Sequence, residues 1–230
     1  MKRLFIFDFD GTLGDTRANI VLTLQQTLQA LDYPVAGEEA IAATIGLPLE
    51  DSFRQLLPGL SPEESMRCAA VYREIFEKNH KLLVPKLFPH VKEVLATLHA
   101  RGKLLSVASS RSSRSLNGFL QEMGVAPYFT YVLGADNVSR AKPDPEPVLK
   151  TIRDLGCAPD ETLVVGDMPV DIQMGRRTGT QTCAVTYGNA TREALEAAGA
   201  DIILDDLRDL LLLSESSVGT PGVHLRPQGG

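Results

Sequence analysis

The sequence predicts an α/β fold: a doubly wound parallel sheet with an all-helical segment inserted after its first strand. Three observations carry the prediction. The apolar run Leu4–Phe7 ends in Asp8-Phe9-Asp10-Gly11-Thr12, and a short apolar run closed by a turn-prone Asp-Gly pattern reads as a buried strand. From residue 90 onward, helical stripes alternate with short apolar runs, as strand–helix–strand crossovers require. Residues 15–85 break that alternation and offer helical stripes only.

After the first strand, Ile20, Leu24, Leu28 and Leu31 share one helical face. Pro48 marks a second helix start, and Ser61-Pro62-Glu63-Glu64 forms a capping box with proline at the first helical position. No convincing strand follows until Leu104. Val91, Val94, Leu95 and Leu98 form a stripe that Gly102 ends, and a strand follows over Leu104–Ala108. Leu116, Phe119, Leu120 and Met123 precede Gly124 and the strand Tyr131–Leu133. Val148, Ile152 and Leu155 precede Gly156 and a strand over 162–165; Gly179 precedes one over 181–186, and Gly199 one over 201–204. A glycine just past a helix fills the left-handed position of its C-terminal cap. The expected organisation is therefore a core of residues 1–14 and 86–212, a helical segment of 15–85, and a tail of 213–230. The tail is rich in Gly, Ser and Pro and is expected to be disordered.

With 230 residues and 43% hydrophobic content, the chain can bury a large core with a smaller insert. A net charge of −6 argues against a nucleic-acid surface, while leaving room for a local basic pocket. Met1-Lys2-Arg3 precedes only four apolar residues, too few for a signal-peptide core, and Leu210–Leu213 is too short to span a membrane. A cytoplasmic location is expected. Cys68, Cys157 and Cys183 match no zinc or redox spacing and are expected to be reduced packing residues.

In a doubly wound sheet, ligands bind beyond the carboxyl ends of the strands, where Asp8 and Asp10 lie. Two carboxylates that close repel each other unless a cation or a shared proton is present. Ser109 ends the next core strand, with Ser110 and Arg111 at a helix start. A hydroxyl and free N–H groups there suit an anion, although a serine also serves as a plain helix cap. Lys142 lies in Lys-Pro-Asp-Pro-Glu-Pro, whose prolines favour extended backbone; a solvated loop lysine is the alternative. Asp167 sits at a further strand end, and Asp171 in the first turn of the next helix. Capping alone, worth about 0.3–1 kcal/mol, accounts for Asp171 but not for Asp167. Asp8, Asp10, Ser109, Lys142 and Asp167 thus meet on one edge. Their carboxylates call for a hard cation, and an all-oxygen site suits Mg²⁺.

Those motifs, Asp8-Phe-Asp-Gly-Thr-Leu, Ser109, Lys142-Pro and Gly166-Asp167 with Asp171, occur in the order of the haloacid dehalogenase superfamily of aspartyl-phosphate hydrolases. The chain resembles that family over residues 1–212. Its insert resembles the family's C1 helical cap, and Ile45-Gly46 and Phe88-Pro89 resemble phosphoglycolate-phosphatase-type members. The resemblance implies a Rossmann-like core with Asp8 as nucleophile and Asp10 as general acid, then base. It implies that Ser109 and Lys142 hold phosphoryl oxygens and that Gly11, Thr12, Ser110, Arg111 and Gly46 bind phosphate or substrate. Mg²⁺ would lie on Asp8, the Asp10 carbonyl and Asp167, with Asp171 as ligand or support.

The implied activity is Mg²⁺-dependent hydrolysis of a small phosphorylated metabolite such as phosphoglycolate. The protein would be a monomer or homodimer with no nucleic-acid or membrane partner. Cations of the insert (Arg17, Arg54, Lys78 and Lys81) fit an anionic ester but also suit a solvated face. Gly46 is the candidate for substrate contact, against a plain helix-linking turn. Ser109-Ser110-Arg111 and Met174-Gly175-Arg176-Arg177 depart from the Thr-Asn-Lys and alanine-rich helix common in phosphoglycolate phosphatases. An inorganic pyrophosphatase and a β-phosphoglucomutase-like enzyme are therefore alternatives. A non-enzymatic phospho-acceptor domain is a remote one, being about half this length and lacking an insert.

Overall fold

In a computed structural model of the chain, which describes residues 2–80 and 85–213, the strands are β1 (Leu4–Phe7), β2 (Gly14–Asp15), β3 (Lys86–Leu87), β4 (Leu104–Ala108), β5 (Tyr131–Leu133), β6 (Thr162–Gly166), β7 (Gln181–Val185) and β8 (Ile202–Leu204). Six of them form a parallel sheet in the order β5-β4-β1-β6-β7-β8. The helices are α1 (Arg17–Ala30), α2 (Glu38–Ala42), α3 (Leu49–Leu56), α4 (Pro62–Asn79), α5 (Val91–Ala100), α6 (Ser113–Glu122), α7 (Glu146–Leu155), α8 (Pro169–Arg176), α9 (Arg192–Ala197) and α10 (Leu210–Leu213).

Alternation along β1 explains why the sheet is covered on both sides. Phe5 and Phe7 pack with Val91 and Leu95 of α5 and Leu116 and Leu120 of α6. Leu4 and Ile6 pack on the other face with Val148 and Ile152 of α7 and Met174 of α8. A strand buried on both faces cannot alternate polar and apolar residues, hence its uninterrupted apolar run. β1 is paired on both edges, Phe7 lying opposite Val107 on one side and Val165 on the other. Asp8 therefore emerges from a central strand held on both edges.

Helices α1 to α4 lie between β2 and β3, a short antiparallel pair in which Gly14 faces Leu87 and Asp15 faces Lys86. The pair escaped the sequence reading because two-residue strands carry no period. α4 begins with the expected capping box: Ser61 Oγ accepts from the Glu64 N–H at 3.2 Å, and the Ser61 N–H donates to Glu64 Oε2 at 2.9 Å. β7 and β8 are each one residue shorter than expected. The proline-rich segment around Lys142 is a turn with a cis Lys142–Pro143 peptide, not extended chain; Pro145 already has helical angles ahead of α7. All three cysteines are free thiols. Among the described residues, no helix is long and apolar enough to cross a membrane. Lys81 and residues 214–230, most of the expected tail, lie outside the described residues.

Ser61→Ala removes one half of the reciprocal cap and should lower unfolding stability by about 1 kcal/mol. Urea titration should show a lower midpoint with an unchanged slope.

Candidate active site

The carboxyl edge of the sheet gathers the acidic residues. The Asp8 N–H still belongs to the ladder, donating to the Val165 carbonyl at 2.8 Å, so the carboxylate starts where the strand ends. Lys142 Nζ donates to Asp8 Oδ1 at 2.5 Å and to Asp171 Oδ1 at 2.7 Å, with all three side chains almost fully buried. Asp171 Oδ2 accepts from the Met168 N–H at 3.1 Å and so caps α8 while its other oxygen serves Lys142. Asp171 thus caps α8 and also joins the buried Lys142 cluster.

Asp167 is held from three directions. Thr12 Oγ1 donates to Oδ1 at 2.9 Å; the Asn189 N–H and Nδ2 donate to Oδ2 at 2.8 and 3.0 Å. Gly11 has φ +93°, and a Cβ there would collide with Asp167 Oδ2 and Asn189 Nδ2, so only glycine allows this turn to pass the carboxylate.

One oxygen from each of Asp8, Asp167 and Asp171 falls within 4.8 Å of the others. Asp8 Oδ2 is buried without a hydrogen-bond partner, a costly state for a carboxylate oxygen. The cluster is too acidic to be fully ionised on its own. Burial pushes the Asp8 carboxyl well above its usual range, and Lys142 only partly offsets this. Burial, then the Asp171 charge, pushes Asp167 up to about 7. Burial works against the Lys142 ammonium, but the Asp171 and Asp8 carboxylates outweigh it and raise its pKa. Three buried carboxylates, one with an orphaned oxygen, fit a hard divalent cation.

Asp10 is turned elsewhere. Its carboxylate accepts from Thr16 Oγ1 at 2.6 Å and from Arg111, with Nε 2.8 Å from both oxygens and Nη2 2.7 Å from Oδ1. It is thus not among the three clustered carboxylates. The Arg111 guanidinium is buried between rings, its carbon 4.7 Å from the Phe119 centroid and 5.1 Å from that of Phe76. α6 starts at Ser113, so Ser110 and Arg111 precede the helix rather than open it. Ser110 Oγ donates to the Gly46 carbonyl at 2.6 Å, and Ser109 Oγ accepts from the Arg111 N–H at 3.2 Å. These contacts show which neighbours the expected phosphate-binding residues have within the chain. Arg111 serves Asp10, Ser110 serves Gly46, and Thr12 serves Asp167.

Gly46, at φ +94°, passes close to Met168 and Val170, bringing a loop of the helical segment against the start of α8. Between that segment and the core lies a cavity of about 600 Å³ that reaches Asp10, Ser110 and Arg111 and includes Thr44, Ile45 and Gly46 in its wall. Of the insert cations, Arg17 pairs with Glu38 and Glu39 and Arg54 with Asp51 on exposed faces. The sequence reading missed Asn189, Thr16 and the Arg111–Asp10 pair. Asn189 lies just after β7, on the same sheet edge that singled out Asp167.

The sequence pattern of the family described as haloacid dehalogenase-like hydrolase matches residues 5–185. The chain is 40% identical over 228 residues to a protein of Dickeya dadantii named "Probable phosphatase IndB", covering 95% of this chain and 99% of that one. It is 31% identical to the phosphoglycolate phosphatase of Salmonella typhi, with 89% of each chain covered. A hydrolase from Pseudomonas syringae superposes with a TM-score of 0.83 at 26% identity, over 94% of this chain and 98% of that one.

A carboxyl whose folded-state pKa is raised keeps its proton where the unfolded chain has lost it, so stability falls as pH rises through the gap. For Asp167 the gap runs from 3.8 to about 7, with Asp8 acting in the same direction. In chelator, Tm should therefore fall between pH 5 and pH 8, and Asp167→Asn should flatten that fall. An equally steep profile in the variant would disprove the assignment.

Proposed function

The chain belongs to the haloacid dehalogenase-like hydrolase family, and we propose that it is a Mg²⁺-dependent phosphatase acting on small phosphomonoesters through an aspartyl-phosphate at Asp8. The observation that carries this reading is the asymmetry of the Asp8 carboxylate. Lys142 holds Oδ1, while Oδ2 is buried with no hydrogen-bond partner. One oxygen is oriented and the other is available to attack.

In the first step Asp8 Oδ2 forms a bond to phosphorus as the bond to the leaving oxygen breaks, and Asp10 gives that oxygen a proton. In the second, Asp10 takes a proton from water as the water oxygen attacks phosphorus, releasing inorganic phosphate and the Asp8 carboxylate. Arg111 and Thr16 hold Asp10 at the wall of the cavity, the side on which a leaving group has room. Ser109 and Lys142 bind phosphoryl oxygens, Lys142 as a buried ammonium already aimed at Asp8. The carboxylates of Asp8, Asp167 and Asp171, with the Asp10 carbonyl, would hold Mg²⁺, which would supply positive charge for the phosphoryl oxygens. Asp167 stays oriented for that purpose through Thr12 and Asn189. Helices α1 to α4 act as a cover that excludes water from the site. Relatives named as phosphatases support this reading.

Asp8→Asn should abolish phosphate release from p-nitrophenyl phosphate in protein with an unchanged circular dichroism spectrum. Asp10→Asn should cost roughly 10²–10⁴-fold in kcat for alkyl phosphates. Chelation should stop turnover reversibly, and Asp167→Ala should sharply raise the Mg²⁺ concentration at half-maximal rate. Near-normal turnover by folded Asp8→Asn protein would sink the covalent mechanism.

A further inference from the structure

The cavity beside Asp10 is too large, and its charges too fully used, for the smallest candidate substrates. Glycolate, the leaving group of phosphoglycolate, has about five non-hydrogen atoms and occupies on the order of 150 Å³ at a water-like share of about 30 Å³ each. The cavity holds about 600 Å³, within the roughly 300–1,000 Å³ of sites that bury a drug-sized ligand. A glycolate there would leave most of the space to water.

Charge points the same way. A carboxylate leaving group needs an uncommitted cation. Arg111 is bound to Asp10 and Arg73 to Glu50, at 2.7 and 2.9 Å. Glu77 and Asp136 add two further acids to the lining. Arg114 is the one cation of that wall with no carboxylate partner among the described residues, and it is exposed. With Arg111–Asp10 and Arg73–Glu50 cancelling as pairs, a second negative charge beside the phosphate would face two acids, Glu77 and Asp136, and one guanidinium among the described lining residues.

What the wall does offer is amphipathic. Ile20, Leu24, Ile45, Leu47 and Leu49 supply an apolar side, and the Ser112 and Ser115 hydroxyls lie on the α6 side near Arg111. We infer that the preferred substrate is a phosphomonoester of an uncharged, ring-bearing polyol, sugar-sized or larger, rather than phosphoglycolate or pyrophosphate. The inference rests on the phosphatase reading above and narrows its substrate.

The test is a panel with wild-type enzyme and Mg²⁺: p-nitrophenyl phosphate, phosphoglycolate, pyrophosphate, methyl phosphate, an aldohexose 6-phosphate, an aldopentose 5-phosphate and a nucleoside 5′-monophosphate. At least one ring-bearing polyol ester should exceed phosphoglycolate and pyrophosphate by roughly tenfold or more in kcat/KM. A phosphoglycolate or pyrophosphate value equal to or above the best polyol ester overturns the inference and leaves the phosphatase reading standing. No turnover of any compound, p-nitrophenyl phosphate included, overturns both. Glu77→Arg, an exposed change on α4, adds a cation to the wall and should raise the ratio of phosphoglycolate to polyol-ester kcat/KM severalfold. An unmoved ratio overturns the charge argument.

Discussion

The buried ammonium of Lys142, shared between Asp8 and Asp171, is the contact on which the rest of the site depends. Two unit charges 4 Å apart interact by about 4 kcal/mol at an effective dielectric near 20, so three clustered carboxylates cannot all ionise against one ammonium. The raised Asp8 and Asp167 carboxyls are the consequence. Removing the ammonium would strand buried charge, the costly way to break such a pair. The site is thus electrostatically unfinished: its buried carboxylates carry more negative charge than one ammonium can balance.

Topology makes that concentration of charge possible. β1 sits between β4 and β6, so the end of one central strand is flanked by the ends of two others. Asp8 follows β1, Ser109 follows β4, and Asp167 follows β6, while Lys142 arrives from the turn ahead of α7. These residues are far apart in sequence, yet each position is a strand end or the loop beside one. The two apolar faces of the sheet hold those ends in register, which is why packing in the core and geometry at the site are one constraint.

Much of this was legible in the sequence because buried parallel strands are uninterrupted apolar runs and their covering helices carry stripes such as Val91-Val94-Leu95-Leu98. The acidic residues were legible for the same reason: charge at the end of an apolar run has no structural excuse. What escaped the reading is non-local or too short. Ser109-Ser110-Arg111 reads as a helix start, but the helix begins at Ser113 and the guanidinium turns to Asp10, 101 residues earlier. No local pattern encodes that pairing. The β2–β3 ribbon is too short to show a period, and the turn at Lys142 follows a cis peptide rather than the extended form its prolines suggest.

The Ser110-Arg111 dipeptide also joins the helical segment to the core. Ser110 and Arg111, adjacent after β4, both reach into the segment: one through the Gly46 carbonyl, the other through the Phe76 ring of α4. The same guanidinium packs on Phe119 of α6 and grips Asp10. Its cation–π seat is complete only when α4 and α6 face each other. A guanidinium buried against rings and a carboxylate loses several favourable contacts if either side moves. One side chain therefore links the helical segment to the orientation of Asp10. Lysine, a point charge on a flexible stem, fills neither the ring seat nor the paired contact to both Asp10 oxygens in this way.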